Sequence, residues 1–230
     1  MKPKMKPKMK PKMKPKITEM LRADADAIWK KIVEHPFVNE LYAGDLPAKK
    51  FKFYVLQDYN YLMAMIRVLS ALASKAPELL IGEILEIAHL ESTTELDAYE
   101  KLLNKLDLSL DDAMSVEQME ASSAYANFLL ATSSLKSFSE GLTAVLPCFW
   151  TYAEIAETHR DELKKNANKI YVEWGSTYLS NDYISLVDKI KSIVDRSCEQ
   201  SSYKDLRTTF VTASKYELLF WDGAYKVPTK

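Results

Sequence analysis

Glycine is scarce in this chain, and its scarcity restricts the possible secondary structure more than any other feature. Five glycines occur in 230 residues, and four of the nine prolines fall within the first 16 positions. Tight turns usually depend on glycine or proline, so a long chain with few of either favours helices. Apolar residues also recur at intervals of three and four, the period of a helix with one buried face. The sequence therefore predicts an all-α protein.

The apolar periodicity predicts eight helices that pack into a single compact multi-helix bundle. Predicted breaks are HPF (35–37), GDLP (44–47), Pro77, LDLSLDD (106–112), NAN (166–168) and Gly175. The predicted helices span residues 18–34, 47–76, 79–106, 113–136, 138–165, 168–175, 178–200 and 203–226. With 47% hydrophobic residues, the chain has ample material for one large core. We expect one helical domain over residues 17–230.

Residues 1–16 repeat the tetrapeptide MKPK four times and differ in composition from the rest of the chain. They hold eight lysines and no acid, and we expect a leader that is disordered or non-native. The remainder carries 32 acidic against 23 basic side chains. An acidic body argues against nucleic acid as a partner, because phosphate binding needs clustered Lys and Arg. No apolar run approaches the roughly 18 residues of a membrane helix, so no membrane association is expected.

The two cysteines indicate a reducing compartment, and we predict a cytoplasmic protein. Cys148 and Cys198 lie fifty positions apart, with neither a CxxC nor a metal-finger spacing. Cys148 lies in VLPCFWTYAEIAE (145–157), which has a helical pattern and yet places Pro147 beside the thiol. A buried cysteine is most often an inert small hydrophobe. A proline can bend a helix, however, and so turn the next side chain towards a cavity.

Two predicted helices carry an acid in the middle of an apolar face. One face runs Phe51, Tyr54, Val55, Asp58, Tyr61, Leu62, Met65, Leu69, and the other runs Leu206, Phe210, Ala213, Glu217, Phe220, Trp221, Ala224. Burying a lone carboxylate costs several kcal/mol unless it is paired, hydrogen-bonded or neutralised. Basic groups from other helices could pair with these acids. Two acids, a thiol and several tyrosines on inward faces favour a pocket with a polar centre.

These segments together resemble the TenA family, also called thiaminase II. The resemblance covers about residues 18–226 and rests on an ordered set of motifs. The motifs are HPFV (35–38), GDLP and FKFYVLQDYNYL (44–62), AY (124–125), LPCFWTYAE (146–154), IYVEWGSTY (170–178) and YELLFWDGAY (216–225). The resemblance implies an all-helical fold like that of haem oxygenase, assembled as a homotetramer. It also implies a hydrolase of thiamin-pyrimidine salvage that deaminates 4-amino-5-aminomethyl-2-methylpyrimidine to the 5-hydroxymethyl compound and cleaves thiamin.

The resemblance also implies a role for each matching residue. Cys148 in LPCFW corresponds to the cysteine-containing branch and is the expected nucleophile, and Glu217 in YELLFW is the expected proton donor and relay. Asp58 in LQDYNYL is expected to hold the ring nitrogen and 4-amino group of the pyrimidine, and Tyr61 to favour the thiolate. The expected ring contacts are Tyr125, Tyr152, Tyr178 and Phe220. A thiolate nucleophile and a carboxyl group with a raised pKa suit displacement of an amine.

Two other functions are compatible with the sequence, namely a haem-oxygenase-like metal oxidase and a non-catalytic pyrimidine-binding or regulatory protein. Glu86 and His89 form an ExxH, a spacing used for di-iron ligation, but a second pair is lacking because Glu154 and Glu157 have the wrong spacing to His159. His35 could be read as a haem ligand, although a His-Pro at a helix end is usually structural. A non-catalytic pyrimidine-binding or regulatory protein would keep the pocket without turnover. We favour the enzyme, acting without a cofactor or a metal.

Overall fold

The structure, a computed structural model, describes residues 15–198 and 203–227. Over these ranges the chain is helical without a strand, which confirms the prediction of an all-α protein. The first 14 residues of the MKPK leader, predicted to be disordered or non-native, lie outside the described residues. Among the helices described, none has the length and apolar character needed to cross a membrane.

Thirteen α-helices follow one another in the described chain. They are α1 (Ile17–Asp24), α2 (Asp26–Val33), α3 (Pro36–Ala43), α4 (Ala48–Lys75), α5 (Ile81–Leu90), α6 (Leu96–Lys105), α7 (Leu110–Ser115), α8 (Glu120–Leu135), α9 (Phe138–Thr158), α10 (Arg160–Leu163), α11 (Lys169–Thr177), α12 (Asn181–Ser197) and α13 (Tyr203–Tyr225). A turn of 3₁₀ helix (Glu78–Leu80) precedes α5, and a π-helical segment (Glu91–Glu95) joins α5 to α6.

Four of these helices form the centre of the molecule. Helices α4, α8, α9 and α13 each pack against the other three, while α5 covers α4 and α12 covers α9. In α9 every residue from Leu142 to Pro147 is buried, as expected for a helix surrounded by protein on all sides. Trp29 of α2 is fully buried, and its indole Nε1 donates to Ser214 Oγ of α13 at 2.9 Å. The apolar stripes predicted from the sequence therefore face one another across this four-helix centre.

The predicted break at HPF (35–37) is wrong, because helix α3 begins at Pro36, whereas the predicted break at GDLP (44–47) is confirmed. His35 is the N-cap of α3, where its ring Nδ1 accepts from the Phe37 backbone N–H at 3.1 Å, and Pro36 occupies the first helical position. Proline is tolerated there because its missing N–H would have no partner inside the helix. Gly44 ends α3 with a φ of 93°, the left-handed conformation typical of glycine at this position.

Other predicted boundaries differ because caps and packing decide them. The predicted helix 18–34 is divided at Ala25, and 79–106 is divided by the π-helical segment. Helix α7 begins inside the predicted break 106–112 and continues to Ser115, with Ser109 accepting from the Asp112 backbone N–H in a capping box. The predicted helix 113–136 begins only at residue 120, 138–165 is interrupted at residue 159, and 178–200 spans 181–197.

The predicted break at Gly175 is also wrong, because this glycine lies inside α11. A Cβ atom there would lie 3.0 Å from Leu163 Cδ1 and 3.3 Å from Tyr42 Cε1. Its role is therefore close packing, not a turn.

Gly141 allows α9 to approach its neighbours at the centre of the molecule. A Cβ atom at this position would lie 2.5 Å from Leu72 Cδ2 of α4 and 3.1 Å from Ser133 Cα of α8. The leucine can rotate, but the serine contact involves backbone and cannot be relieved without a shift of the helix. By contrast, a Cβ atom at Gly82 in α5 would meet nothing within 4 Å.

We predict that Gly141→Ala lowers the free energy of unfolding by about 1–3 kcal/mol, because overpacking outweighs the better helix propensity of alanine. The matched control Gly82→Ala should leave stability unchanged or raise it by up to about 1 kcal/mol. Urea denaturation of both variants measures the difference. Equal stability of the two variants would mean that α8 and α9 do not pack as closely as described.

Candidate active site

The acids and the thiol singled out in the sequence face one small cavity, here called the inner chamber, at the centre of the four helices. It is lined by Asp58 and Tyr61 from α4, Tyr125 from α8, Cys148 and Tyr152 from α9, and Glu217 and Phe220 from α13. Helices α4, α9 and α13 each contribute two side chains, three or four positions apart on the buried stripe of the helix. Helix α8 contributes one. The prediction that these stripes enclose a pocket is confirmed.

Local contacts hold α4 and α8 in register beside the chamber. Gln57, next to Asp58, is fully buried, and its side chain binds the main chain just before α8. Its Nε2 donates to the Glu117 carbonyl and its Oε1 accepts from the Met119 backbone N–H, both at 2.8 Å. The amide thereby fixes the start of α8, which carries Tyr125 towards Glu217.

Glu217 is the most deeply buried acid of the chamber, with 3% of its surface exposed. The Tyr125 hydroxyl donates to Glu217 Oε1 at 2.7 Å and is itself 1% exposed. Burial raises the pKa of Glu217 to about 7, and the hydrogen bond from Tyr125 opposes this increase. The sequence-based expectation of a desolvated carboxyl group with a raised pKa is confirmed, so Glu217 can both hold and release a proton near neutral pH.

Cys148 lies in α9, which continues through Pro147, and its thiol faces the chamber. Burial, followed by the nearby Glu217 carboxylate, raises the pKa of the thiol well above its ordinary value. Tyr61 acts in the opposite direction, as expected, but it is outweighed. This effect comes from the buried Tyr61 hydroxyl, which lies beside the thiol. The thiol is therefore protonated at rest and needs a base before it can react.

Asp58 is the second acid that lines the inner chamber. Burial, Glu95 and Glu217 together raise its pKa to about 8, so its carboxyl group retains a proton at neutral pH. Aromatic rings surround the region. Tyr61 packs against Tyr125 with centroids 5.1 Å apart, and the Tyr54 and Tyr152 hydroxyls lie 3.1 Å from each other.

A second cavity, the middle chamber, shares Asp58, Tyr61, Cys148 and Tyr152 with the inner chamber. Tyr178, predicted from the sequence as a ring contact, lines this chamber rather than the inner one. A third cavity, the outer basin, shares Asp58, Glu95 and Tyr178 with the middle chamber and reaches the exposed residues of α6. The three cavities are therefore neighbours that lie between the exposed residues of α6 and the thiol.

Two acids of the middle chamber, Glu91 and Glu95, were not predicted from the sequence. They are the first and last residues of the π-helical segment. Glu91 follows the inward-facing Ile84, Ile87 and Ala88 at helical spacing, and all four are buried. An acid on an apolar stripe, the signal that identified Asp58, was therefore present here too.

The inner chamber encloses about 10 Å³ and the middle chamber about 50 Å³, whereas the outer basin has about 330 Å³. The inner chamber has space for about one water molecule. A planar ring can enter only if side chains of the lining rotate.

The residues considered for a metal centre are engaged elsewhere. Glu86 forms an ion pair with Lys189, Glu154 accepts from Arg22 Nε at 3.0 Å, and His159 Nε2 lies 2.9 Å from the Val33 carbonyl oxygen. His35 caps α3, as the structural interpretation of the His-Pro pair predicted. Within the described ranges, no group of three or more His, Cys, Asp and Glu side chains is placed to hold a metal ion.

Known proteins resemble this chain over most of its length. A protein from Halalkalibacterium halodurans, named aminopyrimidine aminohydrolase, is 29% identical over 205 residues, covering 87% of this chain and 92% of the relative. The solved structure of the TenA homologue protein from P. horikoshii OT3 is 52% identical, with a TM-score of 0.90, and covers 92% of this chain and 99% of that one.

The fold also matches more distant structures. A domain of unknown function with a heme oxygenase-like fold from Shewanella denitrificans OS217 superposes with a TM-score of 0.77 at 12% identity, covering 94% of each chain. The predicted haem-oxygenase-like fold is confirmed. The model of the TENA/THI-4/PQQC family matches residues 22–227, and the chain therefore belongs to this family.

Proposed function

We propose that this protein hydrolyses 4-amino-5-aminomethyl-2-methylpyrimidine to the 5-hydroxymethyl compound and ammonia, and that it also cleaves thiamin. The main support is the inner chamber, where a thiol, a carboxyl group with a pKa of about 7 and a second acid face one space walled by aromatic rings. The name of the H. halodurans relative, aminopyrimidine aminohydrolase, supports the same reaction. The corresponding pathway is salvage of the pyrimidine half of thiamin.

Cys148 is the proposed nucleophile, and Glu217 is the base that activates it. The raised pKa of the thiol means that sulfur must lose its proton as it attacks. Tyr125 occupies only Oε1 of Glu217, which leaves Oε2 to accept that proton. In this step a sulfur–carbon bond forms to the pyrimidine ring, and the proton moves from Cys148 to Glu217.

Glu217 then acts as the acid. The electron pair that the sulfur adds to the ring expels the substituent on the exocyclic methylene. An amine accepts the proton held by Glu217 and leaves as ammonia, whereas a thiazolium leaves as a neutral thiazole without a proton. Water adds to the methylene, the sulfur–carbon bond breaks, and its proton returns the cysteine to the thiol.

Asp58 is the proposed anchor for the ring. Its carboxyl group arrives protonated and can share that proton with a ring nitrogen while its other oxygen accepts from the 4-amino group. These two parallel hydrogen bonds define the orientation of the pyrimidine. The proposed walls for its faces and edge are the rings of Tyr61, Tyr125, Tyr152, Tyr178 and Phe220.

A homotetramer and a cytoplasmic location stay predictions, as does assignment to the cysteine-containing branch. The non-catalytic alternative also leads to a defined outcome. A protein that binds the aminopyrimidine but releases no ammonia from it would be a pyrimidine-binding or regulatory protein.

Replacing the nucleophile should abolish the reaction. We predict that Cys148→Ser loses activity by several orders of magnitude without a change in melting temperature, because a serine hydroxyl is not ionised by a carboxylate of this pKa. Cys198→Ser is the matched control and should retain activity, since Cys198 lies at the C-terminal end of α12 and lines neither chamber. Ammonia release measures both. Substantial activity in Cys148→Ser would contradict the mechanism.

Replacing the anchor should weaken recognition of the ring. Asp58→Asn can keep one donor and one acceptor facing the ring, but an amide cannot give up a proton to the ring nitrogen, so the charged pair between a carboxylate and a protonated pyrimidine cannot form. Loss of a charged hydrogen bond, about 1.5–3 kcal/mol, predicts a decrease in kcat/KM of about 10- to 100-fold. If steady-state kinetics gave wild-type values of kcat and KM, Asp58 would have a structural role only.

The pH dependence should identify Glu217. Because the base must be ionised, kcat/KM is expected to increase with pH through about 7, the pKa of Glu217. Glu217→Gln should lower kcat by about 10²–10⁴ and remove this dependence, while an amide oxygen can still accept from Tyr125 and preserve stability.

Comparison of two substrates tests the second role of Glu217. The amine substrate should lose more activity than thiamin in Glu217→Gln, because only the amine needs a proton to leave. Equal losses would assign Glu217 to activation of Cys148 or to the ring, and not to the leaving group.

A further inference from the structure

Glu91 is a buried acid that the proposed reaction does not use. It is 7% exposed, and its side-chain carboxyl group forms neither a hydrogen bond nor an ion pair with another side chain of residues 15–198 and 203–227. Its side chain lines the middle chamber together with Glu95, which is half-buried. Burial and the neighbouring Glu95 and Asp58 raise the pKa of Glu91 to about 8. An unpaired carboxyl group in such surroundings is costly and requires an explanation.

The ionisable side chains that line the two chambers with Glu91 and bear on its charge are carboxyl groups. Four carboxyl groups line the inner and middle chambers, from Asp58, Glu91, Glu95 and Glu217. Among the described residues, no Lys, Arg or His lines either chamber. Two basic side chains, Lys101 and Lys105, line the outer basin, and Lys105 is paired with Glu173. Such a cavity is complementary to a ligand that supplies its own positive charge.

The position of the acids relative to Cys148 indicates which part of a ligand they would meet. Cys148 lines both chambers, with Glu217 on the inner side and Glu91 and Glu95 on the middle side. A ring that occupies the inner chamber would therefore direct its substituent past the sulfur towards Glu91. The phenol ring of Tyr183 lines the same space, held by a hydrogen bond from its hydroxyl to the Phe149 carbonyl at 2.9 Å. An aromatic face of this kind also favours a cation.

We propose that Glu91 and Glu95 form a subsite for the positively charged leaving group of the substrate, an organic ammonium or a thiazolium. This inference rests on the proposed function, because it places the pyrimidine ring in the inner chamber. The subsite stabilises the amine in the protonated form from which the carbon–nitrogen bond breaks. An amine that enters as an ammonium already carries this proton, and one that enters neutral takes it from Glu217. The same carboxyl groups disfavour phosphorylated pyrimidines, whose negative charge would meet no basic side chain in the two chambers.

A pair of ligands that differ in charge but share the ring tests the subsite. The cationic ligand is 4-amino-5-aminomethyl-2-methylpyrimidine, and the neutral one is its 5-hydroxymethyl counterpart. Titration calorimetry with the full chain carrying Cys148→Ser, which prevents turnover, gives both affinities. Glu91→Gln and Glu95→Gln are then added singly. The matched control is Glu100→Gln, which removes one exposed charge from α6 and lines none of the three cavities.

We expect Glu91→Gln and Glu95→Gln each to lower the affinity for the cationic ligand by about tenfold or more, with little effect on the affinity for the neutral ligand. Glu100→Gln should change neither affinity. If Glu91→Gln does not fold, Glu95→Gln, at a half-buried position, decides the question.

If the glutamine substitutions lowered both affinities equally, or changed neither, the subsite would be overturned while the proposed function stayed intact. If the chain that carries Cys148→Ser alone bound neither ligand, the proposed function would be overturned together with the subsite.

Discussion

The burial of carboxyl groups without a basic partner is the constraint on which the centre of this protein depends. Glu217 lies at the crossing of α8, α9 and α13, and the Tyr125 hydroxyl is the donor that stabilises it. A lone charge in this position would be too costly, so the pKa of Glu217 increases and the group carries a proton for part of the time. Asp58 and Glu91 respond in the same way. The helices therefore enclose a set of weak acids, which is what proton-transfer chemistry near neutral pH requires.

The residues of the site are far apart in the sequence, so the site forms only when the whole domain folds. Asp58, Tyr125, Cys148 and Glu217 come from four helices that are far apart in sequence and meet only when α4, α8, α9 and α13 pack together. The close approach at Gly141 and the amide of Gln57 set the spacing of these helices. Rigid helices hold functional side chains more accurately than loops do. Distant contacts such as these can therefore influence the geometry around the sulfur.

The sequence allowed the central stripes and the inner chamber to be predicted, because both depend on the helical period. An acid at position 58 or 217 interrupts an otherwise apolar face, and that pattern survives any small error in helix boundaries. The boundaries themselves depend on capping and close packing. His35 caps a helix where a break was predicted, and Gly175 packs against Leu163 inside a helix. The π-helical segment was not predicted either, and the burial of Glu91 depends on how that segment packs against the body, which a helical pattern alone does not reveal.

The weak acids also link the stability of the empty protein to pH. Between their ordinary pKa values and the folded values of about 7 to 8, Asp58, Glu91 and Glu217 hold protons that the unfolded chain has released. The free energy of unfolding therefore falls as pH rises across this interval, by about 1.4 kcal/mol per pH unit for each such proton. These groups destabilise the fold least at or below their ordinary pKa values of about 4. A cationic ligand that displaced the protons would release them to solvent, and its stabilising effect would grow as the solution becomes more alkaline.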